Sequence, residues 1–315
     1  MSEFLLELYS EEIPPQLQIS AREELKQTIK KSFEQEQVKY SALFHYSSPT
    51  RLIICVEGLA ERIKIDSKEI KGPKVGVIED ILNSFIRAHN VSKKDVFEKE
   101  IDKGKFYFIK TKPKEILTKD LLTKIVLNAI ASISWKKSMK WSDNDLLWGR
   151  PLRSILAIYN KKLLTFTYGH LKSTDTVIIE QNLVNKFKKI KNFNEYKNLL
   201  KNNKIIFDQE ERKKRILNKF RSVCGSRNFK ENFNTKLLEE VVNIVENPNV
   251  LLGEFNKDYL KIPQEIIIST LETHQRYFPL FDNRENLTNY FFIVANKADD
   301  KHFIKKGNKR VVEAR

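Results

Sequence analysis

Cysteine is nearly absent. Cys55 and Cys224 are the only two in 315 residues, far apart in the chain and neither in a CxxC pair. That excludes a disulfide scaffold, a zinc ribbon and a dithiol redox motif, and it fits a reducing compartment. Glycine is scarce at nine residues, and neither a Walker loop nor a GxGxxG fingerprint can be assembled; Gly72 and Gly76 lack the strand–turn–helix context. The five histidines are scattered without HxxxH spacing, and no GxSxG nucleophile turn occurs. Long apolar runs are missing too. The longest, Tyr290 to Ala295, is far below the ~20 residues that span a bilayer. The opening MSEFLLELYSEEIPP carries acids where a signal peptide carries bases. A soluble, unexported, cytoplasmic protein is expected.

What is present is charge. Lys and Arg number 57 against 41 Asp and Glu, a net +16, with hydrophobic residues at 41%, enough to build a core. Only 14 of the cations are Arg. A surplus of Lys with Asn and Ile is what an AT-rich coding sequence produces, so the sum decides little. Its distribution says more. Residues 1–60 carry 6 basic and 9 acidic residues, whereas residues 183–236 carry 16 and 5. Lys186, Lys188, Lys189 and Lys191 form one cluster; Arg212, Lys213, Lys214 and Arg215 form another at the start of a helix, where cations oppose the dipole. Two readings stay open: a phosphate-contacting surface, or a solvated Lys-rich face. Arg150 beside Trp148 and Arg276 beside Tyr277-Phe278 pair cations with aromatics, which either stack unpaired bases or are core residues with cationic neighbours.

The pattern of elements is α+β. FLLELY reads as a strand; Pro15 then starts a helix that repeats Leu17, Ala21, Leu25, Ile29 and Phe33 every four residues. Ala42–Ser47 and Arg51–Glu57 read as strands, with Cys55 a small core residue. Residues 66–80 read as irregular, 81–89 as a short helix, 102–105 as a turn into the aromatic strand 106–112, and 116–135 as the strongest helix. SILAIY and LLTFTY read as paired strands around Asn160. Asp208 and Glu211 have capping-box spacing, and Pro263 opens a helix expected to bury Ile266, Ile267 and Leu271. Two interleaved helix/strand domains are expected, 1–145 and 146–315, the second holding the basic helical segment 183–236. Glu11-Glu12 before the first helix could be an acid/base pair but more simply complements the helix dipole. KKSMK at 136–140 has the wrong order for an ATP-binding KMSKS loop.

Read in order, the motifs resemble the β subunit of the bacterial two-subunit glycyl-tRNA synthetases. ELYSEEIPP resembles E-x-G-T-E-E-[IL]-P-P, with Tyr9-Ser10 replacing Gly-Thr. SSPTRL resembles T-P-R-R-L, Arg51 being retained; Lys71-Gly72-Pro73 and DKGKFYFI have counterparts; and Arg150-Pro151 matches an R-P within MKWSDNDLLWGRPLRSILAIY. LLEEVVNIVENP, THQRYFPLF, NYFFIVANKADD and GNKRVVEAR continue the likeness to Arg315. The family's G-H-R-F is missing, STDTVIIE standing at 173–180 with Gly169-His170 upstream. The family continues beyond this point with an HD-type and an anticodon-binding domain, so the resemblance implies an N-terminal portion of such a subunit.

The resemblance also implies domains similar to the B3/B4-type domains of the phenylalanyl-tRNA synthetase β subunit. It implies an α subunit, in an α2β2 tetramer, that uses ATP and Mg to activate glycine, and tRNA(Gly) as the shared substrate. It assigns no catalytic residue, metal site or cofactor to this chain. A stand-alone RNA-binding protein, or a degenerate fragment without activity, is the alternative expectation.

Overall fold

A computed structural model of the 315-residue chain describes residues 2–65, 67–101, 104–111, 113–141, 145–181 and 184–314. At its centre lies an antiparallel five-stranded sheet in the order Lys162–Leu163, Leu152–Tyr159, Ser2–Ser10, Arg51–Leu59, Ala42–Ser48. The three inner strands are buried on both faces, which is why they read as near-continuous apolar runs. Phe4, Leu6, Leu8, Leu52, Ile54, Val56, Ile155 and Ala157 turn to one side. Leu5, Ile53, Cys55, Leu156 and Ile158 turn to the other.

The first face is covered by helix Pro15–Gln35, with Pro15 in its first turn, and by helix Thr118–Ala131 beside it. Leu25, Ile29 and Phe33 are fully buried there, as the four-residue repeat requires. The opposite face carries strand Thr176–Gln181 and helix Phe193–Asn202, whose Phe193, Tyr196 and Leu200 close a second core. A third core lies under the sheet formed by Asn249–Glu254, Leu287–Ala295 and Phe278–Phe281, with helices Gln209–Arg227 and Thr235–Val242 packed on it. A smaller sheet, Glu69–Lys74, Gly104–Lys110 and Val96–Ile101, sits with helix Glu79–Ala88 and buries Leu82, Phe108 and Ile109. Among the described residues, no helix is long and apolar enough to cross a membrane.

The mixture of helix and strand is as expected. The expected division at 145/146 falls between two neighbours of one sheet, because strand Leu152–Tyr159 pairs with Ser2–Ser10. Several local readings need correction. Glu69–Lys74 is a strand within the segment read as irregular, because Gly104–Lys110 offers it a partner. Ile116 and Leu117 belong to strand Lys114–Leu117, paired with Arg62–Ile65, so the helix begins at Thr118. Of LLTFTY, Leu163 pairs with the preceding strand, together with Lys162 just before it, whereas Thr167–Tyr168 turns back on Leu171–Lys172. Ile267 and Leu271 are buried, four apart, whereas Ile266 lies off that stripe and is 57% exposed. Asp102, Lys103, Ser142, Asp143, Asn144 and Leu183, which fall in turns and segments read above, lie outside the described residues.

Ile29 sits at the middle of the first core. Ile29→Ala should cost about 2–5 kcal/mol in chemical denaturation, the range for deleting buried methyl groups where the site cannot collapse. A loss below about 0.5 kcal/mol would mean that this helix face is not packed.

Candidate functional site

Two charged residues lie in the heart of the central sheet. Glu7 and Arg51 are each 1% exposed and pair at 2.7 Å. The Tyr196 hydroxyl donates to the same carboxylate oxygen, and Arg51 Nη2 donates to the Ile178 carbonyl at 2.6 Å. Burial opposes the Arg51 charge, but Glu7, with Tyr196, Glu246 and Tyr9 adding to it, outweighs burial and holds the guanidinium above its usual pKa. Burial, reinforced by Glu7, pushes the Tyr196 phenol well up. Both therefore stay protonated as donors to Glu7. The Arg51 guanidinium also lies over the Tyr9 ring, 4.6 Å from its centroid.

Beside this network opens a cleft of about 800 Å³ at the ends of the central strands. Its walls gather segments remote in sequence: Tyr9, Glu11 and Glu12, then Thr50 and Arg51, then Arg150, Pro151 and Arg153, and finally Glu180, Glu246 and Lys297. Arg153 bridges Glu11 at 3.3 Å and Glu180 at 3.6 Å. Glu246 accepts from the Ser48 hydroxyl at 2.6 Å and the Thr50 hydroxyl at 3.0 Å. Tyr9 is pushed up to about 12 by burial, against the lowering effect of Arg51 and Arg153, so at neutral pH it is a phenol. Its hydroxyl donates to Glu180 at 3.4 Å. Fixed charges of both signs suit the cleft to orienting a polar ligand. Glu11 faces Arg153, and neither Glu11 nor Glu12 lies in the first turn of the helix that starts at Pro15. The segment standing where G-H-R-F was expected forms strand Thr176–Gln181, contributing the Ile178 carbonyl and the Glu180 carboxylate.

The residues expected to meet nucleic acid separate into three groups. Lys186, Lys188, Lys189 and Lys191 all face solvent on or just after strand Val184–Lys189, with Lys189 near Asp175 at 3.5 Å. Arg150 is exposed at the cleft mouth. Lys214 and Arg215 are exposed, and Lys213 is tied to Glu239. Arg276 pairs with Glu240 at 2.7 Å while Tyr277 and Phe278 turn into the core, and Trp148 is buried against Trp135; these aromatics are not a stacking platform.

Arg212 is the correction. It is fully buried and donates to the carbonyls of Val242 (2.8 Å), Ile206 (2.7 Å), Phe207 (3.0 Å) and Ser47 (2.8 Å), so it reaches no phosphate. Burial lowers its pKa to about 10, which leaves it cationic at neutral pH. The sequence held the signal: Arg212, Ile216, Phe220 and Cys224 are spaced by four and form the buried stripe of helix Gln209–Arg227. Asp208 caps that helix by accepting from the Glu210 and Glu211 amides. Among the described residues one trio, Glu3, Cys55 and Glu57, brings potential metal-ligating atoms together. Glu3 there accepts from the Phe193 amide at 2.7 Å, and burial pushes the Cys55 thiol up, away from the thiolate that binds metals.

The chain is a layered α+β body with an ionic cleft beside its central sheet and exposed cations on its outer strand and helix. The sequence places it more narrowly. Residues 4–315 match the family described as glycyl-tRNA synthetase beta subunit, and the chain belongs to that family. Glycine--tRNA ligase beta subunits of Rickettsia felis and Rickettsia prowazekii are each 36% identical to it, and that of Rickettsia peacockii 35%, over 100% of this chain. The chain spans about half the length of these relatives: 48%, 47% and 47%.

Two outcomes test the site's internal logic. Arg212→Gln should cost about 2–4 kcal/mol in urea unfolding, because four carbonyls lose a charged donor, while Lys214→Gln stays within about 0.5 kcal/mol. Equal, small effects would return Arg212 to the surface. In alkali, the unfolded chain ionises Tyr9 from about pH 10 while the folded chain keeps the proton to about 12. Stability should therefore fall across that window, by up to about 1.4 kcal/mol per pH unit from this residue. Urea midpoints at pH 9.5 and 11.5 measure it, and Tyr9→Phe should lessen the fall; an unchanged fall would remove Tyr9 as the cause.

Proposed function

We propose that the chain serves as the N-terminal portion of the β subunit of a glycine--tRNA ligase, helping to charge tRNA(Gly) with glycine in the cytoplasm. In this reading an α subunit, joined in an α2β2 tetramer, binds ATP and Mg and activates glycine. This chain contributes RNA contact and scaffold rather than the reacting groups. The observation that carries the reading is convergence: ELYSEEIPP, SSPTRL, WGRPLR, VENP and ANK, segments of the family likeness spread over almost the whole chain, meet at one cleft. A B3/B4-type pair of domains is the arrangement proposed for the two halves.

The exposed cations of the outer strand, Lys186, Lys188, Lys189 and Lys191, support the RNA contact. Purified alone, the chain should give no glycine-dependent ATP–pyrophosphate exchange but should bind tRNA(Gly), more weakly as salt rises. Exchange by the isolated chain would overturn this division of labour. Affinity for tRNA that is insensitive to salt would overturn the contact.

A further inference from the structure

A second opening, of about 860 Å³, runs along helix Gln209–Arg227 on the side away from its buried stripe. The helix lines it from Glu211 to Ser222, a span of eleven residue rises and therefore about 16 Å of length. Its floor is Pro248 to Leu251, and its far wall is 298–305. Lys214, Arg215 and Lys219 project from the helix, and Lys305 faces them from the other wall.

These four cations differ from their neighbours. Lys213, Arg221 and Lys230 each hold a carboxylate. Among the described residues, Lys214, Arg215, Lys219 and Lys305 have none within 4.0 Å, although Glu211 and Asp300 line the same groove. The remaining acid, Asp299, is committed to the helix that follows, accepting from the Ile304 and Lys305 amides at 2.9 Å each. Codon bias towards Lys does not account for Arg215, since Arg is the rarer cation throughout.

We propose that this groove holds a stretch of RNA sugar–phosphate backbone, the phosphates over Lys214, Arg215, Lys219 and Lys305 and the riboses over the partly apolar floor of Val250 and Leu251. Its length fits a strand better than a compact anion, and among its described lining residues His302 is the one aromatic ring, with no Phe, Tyr or Trp, which fits backbone contact more than a base-stacking platform. The inference rests on the tRNA reading above and deepens it by placing a contact.

The test is tRNA(Gly) binding over a salt series, for the wild-type chain, for K214Q/R215Q/K219Q, and for K188Q/K189Q/K191Q on the outer strand. All six positions are exposed or groove-lining, and far-ultraviolet circular dichroism should show both variants folded like wild type. Each neutralised phosphate adds about −0.7 to −0.9 to the slope of log K against log salt, so the groove variant should lose about two to three units. A steep wild-type slope that the groove variant leaves unchanged would overturn the groove alone. A flat wild-type slope would overturn the tRNA reading and the groove with it. Saturable ATP binding, lost in the groove variant while the tRNA slope stays, would replace RNA by a compact polyphosphate.

Discussion

The structure depends on a charge placed where charge is most costly. Glu7 and Arg51 lie between two apolar layers, and neither could be there alone, because an unpaired buried ion is several kcal/mol less favourable than one in water. Each therefore demands further partners, and the chain supplies them from the far side of the sheet: the Tyr196 hydroxyl and the Ile178 carbonyl. Those demands position strand Thr176–Gln181 and helix Phe193–Asn202 over the sheet more specifically than apolar packing alone does. Hydrophobic contact is non-directional, whereas a guanidinium accepts few geometries. The pair also fixes Tyr9 beneath Arg51 and so shapes the wall of the cleft.

Arg212 repeats the device between lobes. Its four carbonyl partners come from the 206–207 turn, from the end of helix Thr235–Val242 and from Ser47 at the edge of the central sheet. Gln18 adds a bond to the Asn243 carbonyl at 2.7 Å, and Ser48 and Thr50 reach Glu246. The junction is thus polar and directional where the cores are apolar. An arginine that ties backbones together across a junction looks, in a linear sequence, the same as one that waits for a phosphate.

That ambiguity marks how far the sequence could be read. The Leu17–Phe33 repeat was legible because burying one helix face imposes a period of about four, and the inner strands were legible as short apolar runs. The cations of 183–236 were legible as a concentration of charge, but not as a surface. Four consecutive residues on a helix span all its faces, so 212–215 could never act as one patch. Only the spacing of Arg212 with Ile216, Phe220 and Cys224 told it apart. The cleft was not legible from spacing at all, since its walls come from segments far apart in the chain that meet only through tertiary pairing and hydrogen bonds. Motif likeness found those segments without saying that they touch. Glu69–Lys74 escaped for a related reason: a strand with Gly72-Pro73 inside it exists because a partner strand is present.

The cleft and the groove are lined by neighbouring stretches of the same two segments. Glu246 and Lys297 border the cleft, while Pro248 to Leu251 and Ala298 to His302 border the groove. The two segments are joined to each other where they pass between: Asn296 accepts from the Glu246 amide at 2.8 Å and from the Asn247 amide at 3.2 Å. Beyond that clasp they pair as adjacent strands, Asn249 opposite Ala295. Glu246 thus lies on the same backbone as the groove floor, and its carboxylate holds the Ser48 and Thr50 hydroxyls beside Arg51. The physical route between the two openings is short, and it runs through hydrogen bonds rather than compressible apolar packing. The basic helix and the ionic cleft are in this sense two faces of one junction, held in register by Arg212 on one side and by the 246–249 and 295–298 ladder on the other.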